Sequence, residues 1–173
     1  MKAKPLVTVA LFVAMICIIS PISIYLGIIP LTLGSLVISL SAALLGSRKS
    51  VIAVLIYLFI GAVGVPVFAG FAGGVQVLFH HTGGFLFGYI PCAFIIGFGC
   101  ERFSFRGHLP LFLVTGTVLC NLCGTLWFMV SANVGFLYAL EVCFVAFLLT
   151  DAIKIIICCV LVPVLKKSLK RFL

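Results

Sequence analysis

The chain consists of long apolar runs separated by short segments that hold its glycines, prolines and charges. A helix needs roughly 20 predominantly apolar residues to cross a bilayer, so this length leaves room for about six spans and little else. The predicted helices cover about residues 6–20, 32–45, 51–65, 84–100, 109–131 and 141–165. The pattern predicts an all-α membrane protein, with residues 1–173 forming a single integral membrane domain.

The first apolar run follows Lys2 and Lys4 and has the general form of a signal peptide. A signal peptide is followed by a small-x-small cleavage site. No convincing site of this kind follows the run. We therefore expect a retained first helix.

Composition supports a protein that faces lipid. The chain is 65% hydrophobic and 8% charged, whereas soluble domains carry about 25% charged residues. No extramembrane domain is predicted, which excludes an ATPase module, a DNA-binding head and an enzyme with a soluble lobe. The net charge of +8 is therefore interpreted as membrane topology and not as nucleic-acid binding.

The basic residues predict the orientation, because cytoplasmic loops are enriched in lysine and arginine. With six spans and both termini in the cytoplasm, every basic residue except Lys154, which lies inside a helix, falls on the inner side. These residues are Lys2, Lys4, Arg48, Lys49, Arg102, Arg106, Lys166, Lys167, Lys170 and Arg171. A model with five or seven spans would place some of them outside.

Asp151 and Lys154 lie about halfway along the last predicted helix. A charge near the bilayer centre costs about 2.5–3.5 kcal/mol on insertion scales, so it is rarely incidental. Residues three apart share one helical face and can pair. The pair is compatible with a polar ligand site and with a structural contact that holds helices together, and we favour the ligand site.

A glycine-rich segment, residues 64–84, interrupts the apolar pattern after the third helix. Irregular backbone at membrane depth is tolerated where it is buried in protein or lines a cavity. The segment contains Phe68 and Phe71 where a flexible outer loop would be polar, so we expect a lid or pocket wall. His80 and His81 are adjacent and have no third ligand close by, which argues against a metal site.

Other residues leave their roles open. The eight cysteines lie in or at the edges of apolar runs, and packing is favoured over chemistry even for the Cys120-x-x-Cys123 pair. Asn121 could bridge helices, and Trp127 could be an interface anchor or a ligand wall. The sequence has neither a phosphate-binding loop nor a nucleophilic triad, so we predict neither an enzyme nor a bound cofactor.

Several motifs together resemble the BioY family, the biotin-binding S component of energy-coupling-factor (ECF) transporters. Residues 61–70 read Gly-Ala-Val-Gly-Val-Pro-Val-Phe-Ala-Gly, and Gly-Gly and Thr-Gly-Gly follow at 73–74 and 82–84. The Asp-x-x-Lys of residues 151–154 and the Pro-x-Thr-Leu of residues 30–33 match as well. Where the family often has Gly-Pro before Thr-Gly-Gly and glutamine after Thr-Leu, this chain has His80-His81 and Gly34.

The resemblance implies an S-component-like bundle in the plasma membrane of a prokaryote that binds biotin with high affinity. Its implied partners are a transmembrane coupling (T) subunit and two ATPases of the ATP-binding-cassette (ABC) type. Ala10 and Ala14 match the small-residue motif that docks on the coupling subunit. The residues expected at the ligand are Asp151, Lys154, Phe68, Phe71, Gly73, Gly74, His81, Thr82 and Trp127. The alternatives are a self-sufficient secondary transporter of another small molecule and a structural membrane protein.

Overall fold

The computed structural model describes residues 3–25, 30–103 and 107–169. Some of the basic residues that predict the orientation are not among the described residues. Lys2, Arg106, Lys170 and Arg171 lie outside the described residues, as does the side chain of Lys4.

Helices form almost all of the described structure. They are α1 (Ala3–Ile19), α2 (Gly34–Leu45), α3 (Ser47–Ala62), α4 (Val75–Phe79), α5 (Gly83–Arg102), α6 (His108–Ala132), α7 (Phe136–Leu140) and α8 (Ala146–Leu169). A π-helical segment, Glu141–Val145, joins α7 to α8. The predominantly helical membrane architecture predicted from the apolar runs is confirmed in this coarse form.

A short hairpin between α1 and α2 was not predicted. Strand β1 (Ser23–Tyr25) pairs antiparallel with β2 (Pro30–Thr32), and Ser23 lies opposite Thr32. The apolar pattern predicted only helices. Pairing the two strands satisfies backbone groups that an open loop would leave without partners, and such pairing is essential away from water.

Three of the described helical stretches are long and apolar enough to cross a membrane. They are Gly83–Arg102, His108–Ala132 and the continuous run Phe136–Ser168. Leu6–Ile19 and Gly34–Leu45 are apolar but shorter. Large apolar side chains also cover the outside of the bundle, as Leu137, Val130 and Leu149 illustrate. The chain is a membrane protein.

Small residues bring α5 and α6 close together. A Cβ atom added to Gly84 would meet the Trp127 side chain and lie 2.8 Å from the Cys123 carbonyl oxygen. A Cβ atom on Gly88 would lie 3.0 Å from the Cys120 carbonyl oxygen. Glycine at these positions therefore permits a close antiparallel approach of the two backbones, as small residues do in membrane helix pairs.

Helix α2 lies at the centre of the bundle, since ten of its twelve residues are buried. A tight turn at Gly46, with φ of 82°, leads directly into α3. There the Ser47 hydroxyl donates a hydrogen bond to Oε2 of Glu101, at a distance of 2.6 Å. This contact joins the α2–α3 turn to the end of α5. The opposite end of α2, which contains Ser35 and Ser39, faces a cavity.

Candidate ligand-binding site

A cavity of about 410 Å³ lies between α2, α5, α6, α8 and the glycine-rich segment. Its volume is within the usual range for small-molecule sites, which are mostly apolar with a few placed polar groups. Its polar lining residues include Thr32, Ser35, Ser39, Tyr57, Gln76, His80, Thr82, Tyr89, Thr117, Asn121, Asp151 and Lys154. Apolar walls come from residues such as Phe85, Leu86 and Phe147.

The two charged residues of α8 contact each other inside this cavity. Lys154 Nζ lies 3.4 Å from Asp151 Oδ1, and Asp151 is only 7% exposed. Lys154 also donates a hydrogen bond to the Ser35 hydroxyl at 2.9 Å. Asn121 Nδ2 donates to the other carboxylate oxygen, Oδ2, at 2.7 Å. We call Ser35, Asn121, Asp151 and Lys154 the polar floor.

The polar floor has no net charge but keeps hydrogen-bonding capacity. An ammonium group carries three donors, and Lys154 uses one for Ser35 and one for Asp151. A carboxylate offers about four acceptor positions, of which Asp151 uses two in these contacts. One donor and about two acceptor positions therefore remain for a ligand, which suits a neutral group that both donates and accepts.

Polar residues one helical turn apart build the rest of this region. Ser35 and Ser39 line the cavity from α2, and Thr117 and Asn121 line it from α6. A spacing of four places each pair on one helical face. Of these four residues only Asn121 was predicted to have a role, although polar residues at this spacing in apolar helices were a usable signal.

Phe68 and Phe71 have different environments, and neither is among the residues that line the cavity. Phe68 is 1% exposed and packs edge-on against Tyr57, with ring centroids 5.6 Å apart. Phe71 is 67% exposed. The residues beside them, Ala69 and Ala72, line the cavity instead. Direct ligand contact by the two phenylalanines stays a prediction.

Gly73 and Gly74 shape the segment that borders the cavity. A Cβ atom on Gly73 would lie 2.7 Å from the Gly64 carbonyl oxygen, so no larger residue fits without a shift. Gly74 has φ of 100°, a conformation that favours glycine. Its N–H donates to the Gly61 carbonyl at 2.7 Å. The two glycines lie outside the cavity lining and carry the chain towards Gln76, which is part of it.

The adjacent histidines have different partners, although their ring centroids lie only 4.6 Å apart. His80 and Thr82 line the cavity, whereas His81 is hydrogen-bonded through Nδ1 to the Ser131 hydroxyl at 3.1 Å. Trp127 also lies outside the lining, and its Nε1 donates to the His80 carbonyl at 2.9 Å. The predicted contacts His81 and Trp127 thus attach the segment that contains His80 to α6.

The described residues contain no group of three or more histidine, cysteine, aspartate or glutamate side chains that could hold a metal ion. The thiols of Cys92 and Cys120 line the cavity wall and are buried. All eight cysteines are free. Polarity in the cavity therefore comes from the charged pair, amides, hydroxyls and one imidazole.

An apolar helical bundle with a cavity that contains an ion pair is typical of membrane proteins that bind a small solute. The BioY family model matches residues 1–171 of this chain. The chain belongs to the BioY family, which confirms the resemblance found in the sequence.

Curated relatives match over most of their length. The biotin transporter BioY2 of Lactococcus lactis subsp. cremoris (strain MG1363) is 35% identical over 158 residues, covering 90% of this chain and 86% of that protein. The biotin transporter BioY of Thermotoga maritima is 37% identical over 166 residues, covering 95% and 96%.

A solved structure has the same fold. It is the 2.1 Å crystal structure of the S-component for biotin from an ECF-type ABC transporter. Its TM-score with this chain is 0.89 at 28% sequence identity, and the match covers 96% of this chain and 92% of that one. The fold and the sequence therefore point to the same family.

Proposed function

We propose that this protein is the biotin-binding membrane subunit, or S component, of an ECF-type vitamin importer. The observation that carries the proposal is the polar floor, in which a buried Asp151 is paired with a partly buried Lys154 and both can still accept or donate hydrogen bonds. The names of the relatives and of the solved structure support the same ligand. In this role the protein acts as a transporter component and not as an enzyme.

The chemistry of biotin fits the floor. Its ureido group has two N–H donors and a carbonyl acceptor and carries no charge. Asp151 accepts a ureido N–H, and the remaining N–H of Lys154 donates to the ureido carbonyl. Because the pair has no net charge, a neutral group there leaves no unpaired charge buried. Phe85 and Phe147, whose ring centroids lie 5.5 Å apart, provide an apolar wall for the bicyclic ring.

The proposed topology has six spans with both termini in the cytoplasm of a prokaryotic cell. Among the described residues, basic side chains occur at the start of α3 and at the ends of α5 and α8: Arg48, Lys49, Arg102, Lys166 and Lys167. The glycine-rich segment lies at the opposite ends of α3 and α5. The positive-inside rule then places the basic ends inside and the segment beside the cavity outside.

The proposed partners are a transmembrane coupling subunit and two ABC-type ATPases. Ala10 and Ala14 lie four residues apart on α1, and both are exposed. Val7, Leu11 and Ile18 on α1 are exposed as well. Small residues at this spacing let another helix approach closely, so this face of α1 suits a helix of the coupling subunit.

Titration of the detergent-purified protein tests the assignment. We expect binding of biotin and no binding of riboflavin, thiamine or niacin. Asp151→Asn should lose affinity, because it leaves Lys154 without its counter-charge. Glu141→Gln is the matched control, since Glu141 is an exposed acid in the same helical run. Absence of biotin binding by the wild-type protein would refute the assignment.

A further inference from the structure

We propose that His80 recognises the carboxylate of the ligand, so that the site selects the free acid over forms whose carboxyl group is esterified or amidated. This inference rests on the proposed function, because it assigns the second polar group of the same ligand. His81 was the histidine predicted to contact the ligand. The structure places His80 in the cavity lining instead.

The two neighbouring imidazoles contact each other, with ring centroids 4.6 Å apart, but differ in their hydrogen bonds. His81 binds Ser131 and packs edge-on against Phe128, with ring centroids 5.8 Å apart. In the part of the chain that the structure describes, neither ring nitrogen of His80 has a hydrogen-bond partner. The His80 residue is exposed at the mouth of the cavity, so its ring nitrogens are open to solvent and to a ligand that enters.

The backbone of His80 is held in place. Its N–H donates to the Gln76 carbonyl at 3.1 Å, and its own carbonyl accepts from the Gly83 N–H at 2.9 Å. The same carbonyl accepts from Trp127 Nε1 at 2.9 Å. Because the backbone is held, only the side-chain torsions of His80 have to be fixed when a ligand binds, which limits the entropic cost of binding.

His80 lies well away from the polar floor. Trp127, which contacts it, follows Asn121 by six residues on α6, a rise of about 9 Å at 1.5 Å per residue. The cavity therefore has two polar ends separated along α6. Biotin likewise has two, since its carboxylate is joined to the bicyclic ring by a flexible aliphatic chain. With the ureido group on the floor, the carboxylate points towards His80.

Charge favours an anion at this end. Gln76, His80 and Thr82, which we call the outer rim, are neutral or basic and carry donors. Among the described residues that line the cavity, Asp151 is the one carboxylate, and it is already paired. Helix α5 begins at Gly83, so its dipole adds partial positive charge behind Thr82.

Histidine is suited to this role over a wide pH range. A neutral imidazole has one N–H donor, and the protonated ring has two. A carboxylate is a strong acceptor because it is charged. An ester lacks the charge, and an amide adds donors where His80 needs an acceptor. The outer rim therefore distinguishes a free carboxylate from an ester or an amide, whereas the polar floor contacts the ureido group, which all three ligands share.

The test compares biotin with biotin methyl ester on the purified protein. We expect the wild type to prefer biotin, and His80→Leu to bind biotin about tenfold more weakly with little change for the ester. His80→Gln, which keeps a donor, should retain part of the preference. His81→Leu is the matched control and should change both affinities by a similar factor. Retained ester binding shows that a variant is folded.

The outcomes separate this inference from the proposed function. A wild-type protein that binds biotin and its ester equally, or an unchanged preference in His80→Leu, overturns the role of His80 while biotin binding stands. If His80→Leu binds neither ligand, the ratio of biotin affinity to ester affinity is measured on His80→Gly instead. The φ of −71° at this position suits any residue. A wild-type protein that binds neither ligand overturns the proposed function itself.

Discussion

Asn121 and Asp151 join α6 to α8 through a buried hydrogen bond, from Nδ2 of the amide to Oδ2 of the carboxylate at 2.7 Å. With Oδ2 bound by Asn121, the other carboxylate oxygen, Oδ1, faces Lys154, whose Nζ lies 3.4 Å away. The backbone of Asn121 is held within α6, where its backbone carbonyl accepts a hydrogen bond from the Thr125 hydroxyl at 2.8 Å. The amide therefore sets the orientation of the carboxylate that we assign to the ureido group.

Replacing Asn121 by leucine should weaken biotin binding. A hydrogen bond to a charged group contributes about 1.5–3 kcal/mol, so affinity should fall at least about tenfold and the unfolding free energy should fall as well. Thr115→Val is the control on the same helix, because Thr115 is exposed and its hydroxyl bonds only within α6. Equal biotin affinities for both variants and the wild type would contradict this role.

Single and double leucine replacements at Asp151 and Lys154 separate stability from binding. Either single change leaves an unpaired buried charge and should lower the unfolding free energy by about 3–5 kcal/mol. The double change removes both charges, so stability should recover while biotin binding stays lost. Thermal unfolding and titration of all three variants provide the measurement. A double variant that binds biotin normally would reduce the pair to a structural contact.

Phe68 and Phe71 should respond differently to truncation. Phe68 is packed against Tyr57 and Gly61, so Phe68→Ala should destabilise the fold by about 3–5 kcal/mol. Phe71 is exposed, and Phe71→Ala should change stability by less than about 0.5 kcal/mol. Thermal unfolding without ligand checks both. If biotin raises the unfolding temperature of the wild type more than that of Phe71→Ala, Phe71 contacts the bound ligand.

Gly84→Ala tests the close approach of α5 and α6. The added methyl group meets the Trp127 side chain and the Cys123 carbonyl, so overpacking should cost about 1–3 kcal/mol. Gly135→Ala is the control, because its Cβ would meet nothing within 4 Å and its φ is −66°. The midpoint of thermal unfolding should fall only for Gly84→Ala. Equal midpoints would mean that the two helices can separate without cost.

The double change Ala10→Leu and Ala14→Leu should affect assembly without affecting the cavity. Both residues are exposed on α1, so biotin binding by the isolated subunit should be unchanged. The larger side chains overpack the contact, at a cost of about 1–3 kcal/mol, and this should weaken association with a coupling subunit about tenfold or more. Ala146→Leu, an exposed alanine on α8, is the control. Normal co-purification and ATP-dependent uptake by the α1 variant would place the docking face elsewhere.

The individual residues show where sequence reasoning succeeds and where it stops. Asp151 and Lys154 stand out because charge in an apolar helix is costly and a spacing of three permits pairing. Ser35, the other partner of Lys154, lies 119 residues away in sequence. Its spacing of four from Ser39 indicates a polar helical face but does not show which residue meets that face. His80 and His81 are adjacent in sequence, and only the turn before α5 decides which of them lines the cavity.

The sequence by itself determined that this is a helical membrane protein of the BioY family with an intramembrane ion pair, because hydropathy, spacing and charge are properties of individual segments. The tertiary structure decided which polar residues meet across the cavity, and that Phe68 and Trp127 hold the neighbouring segment in place without lining the cavity. The physical reason is that a binding site is formed by the packing of distant helices. Their relative rotation and depth depend on close contacts such as Gly84 with Trp127, which no single segment encodes.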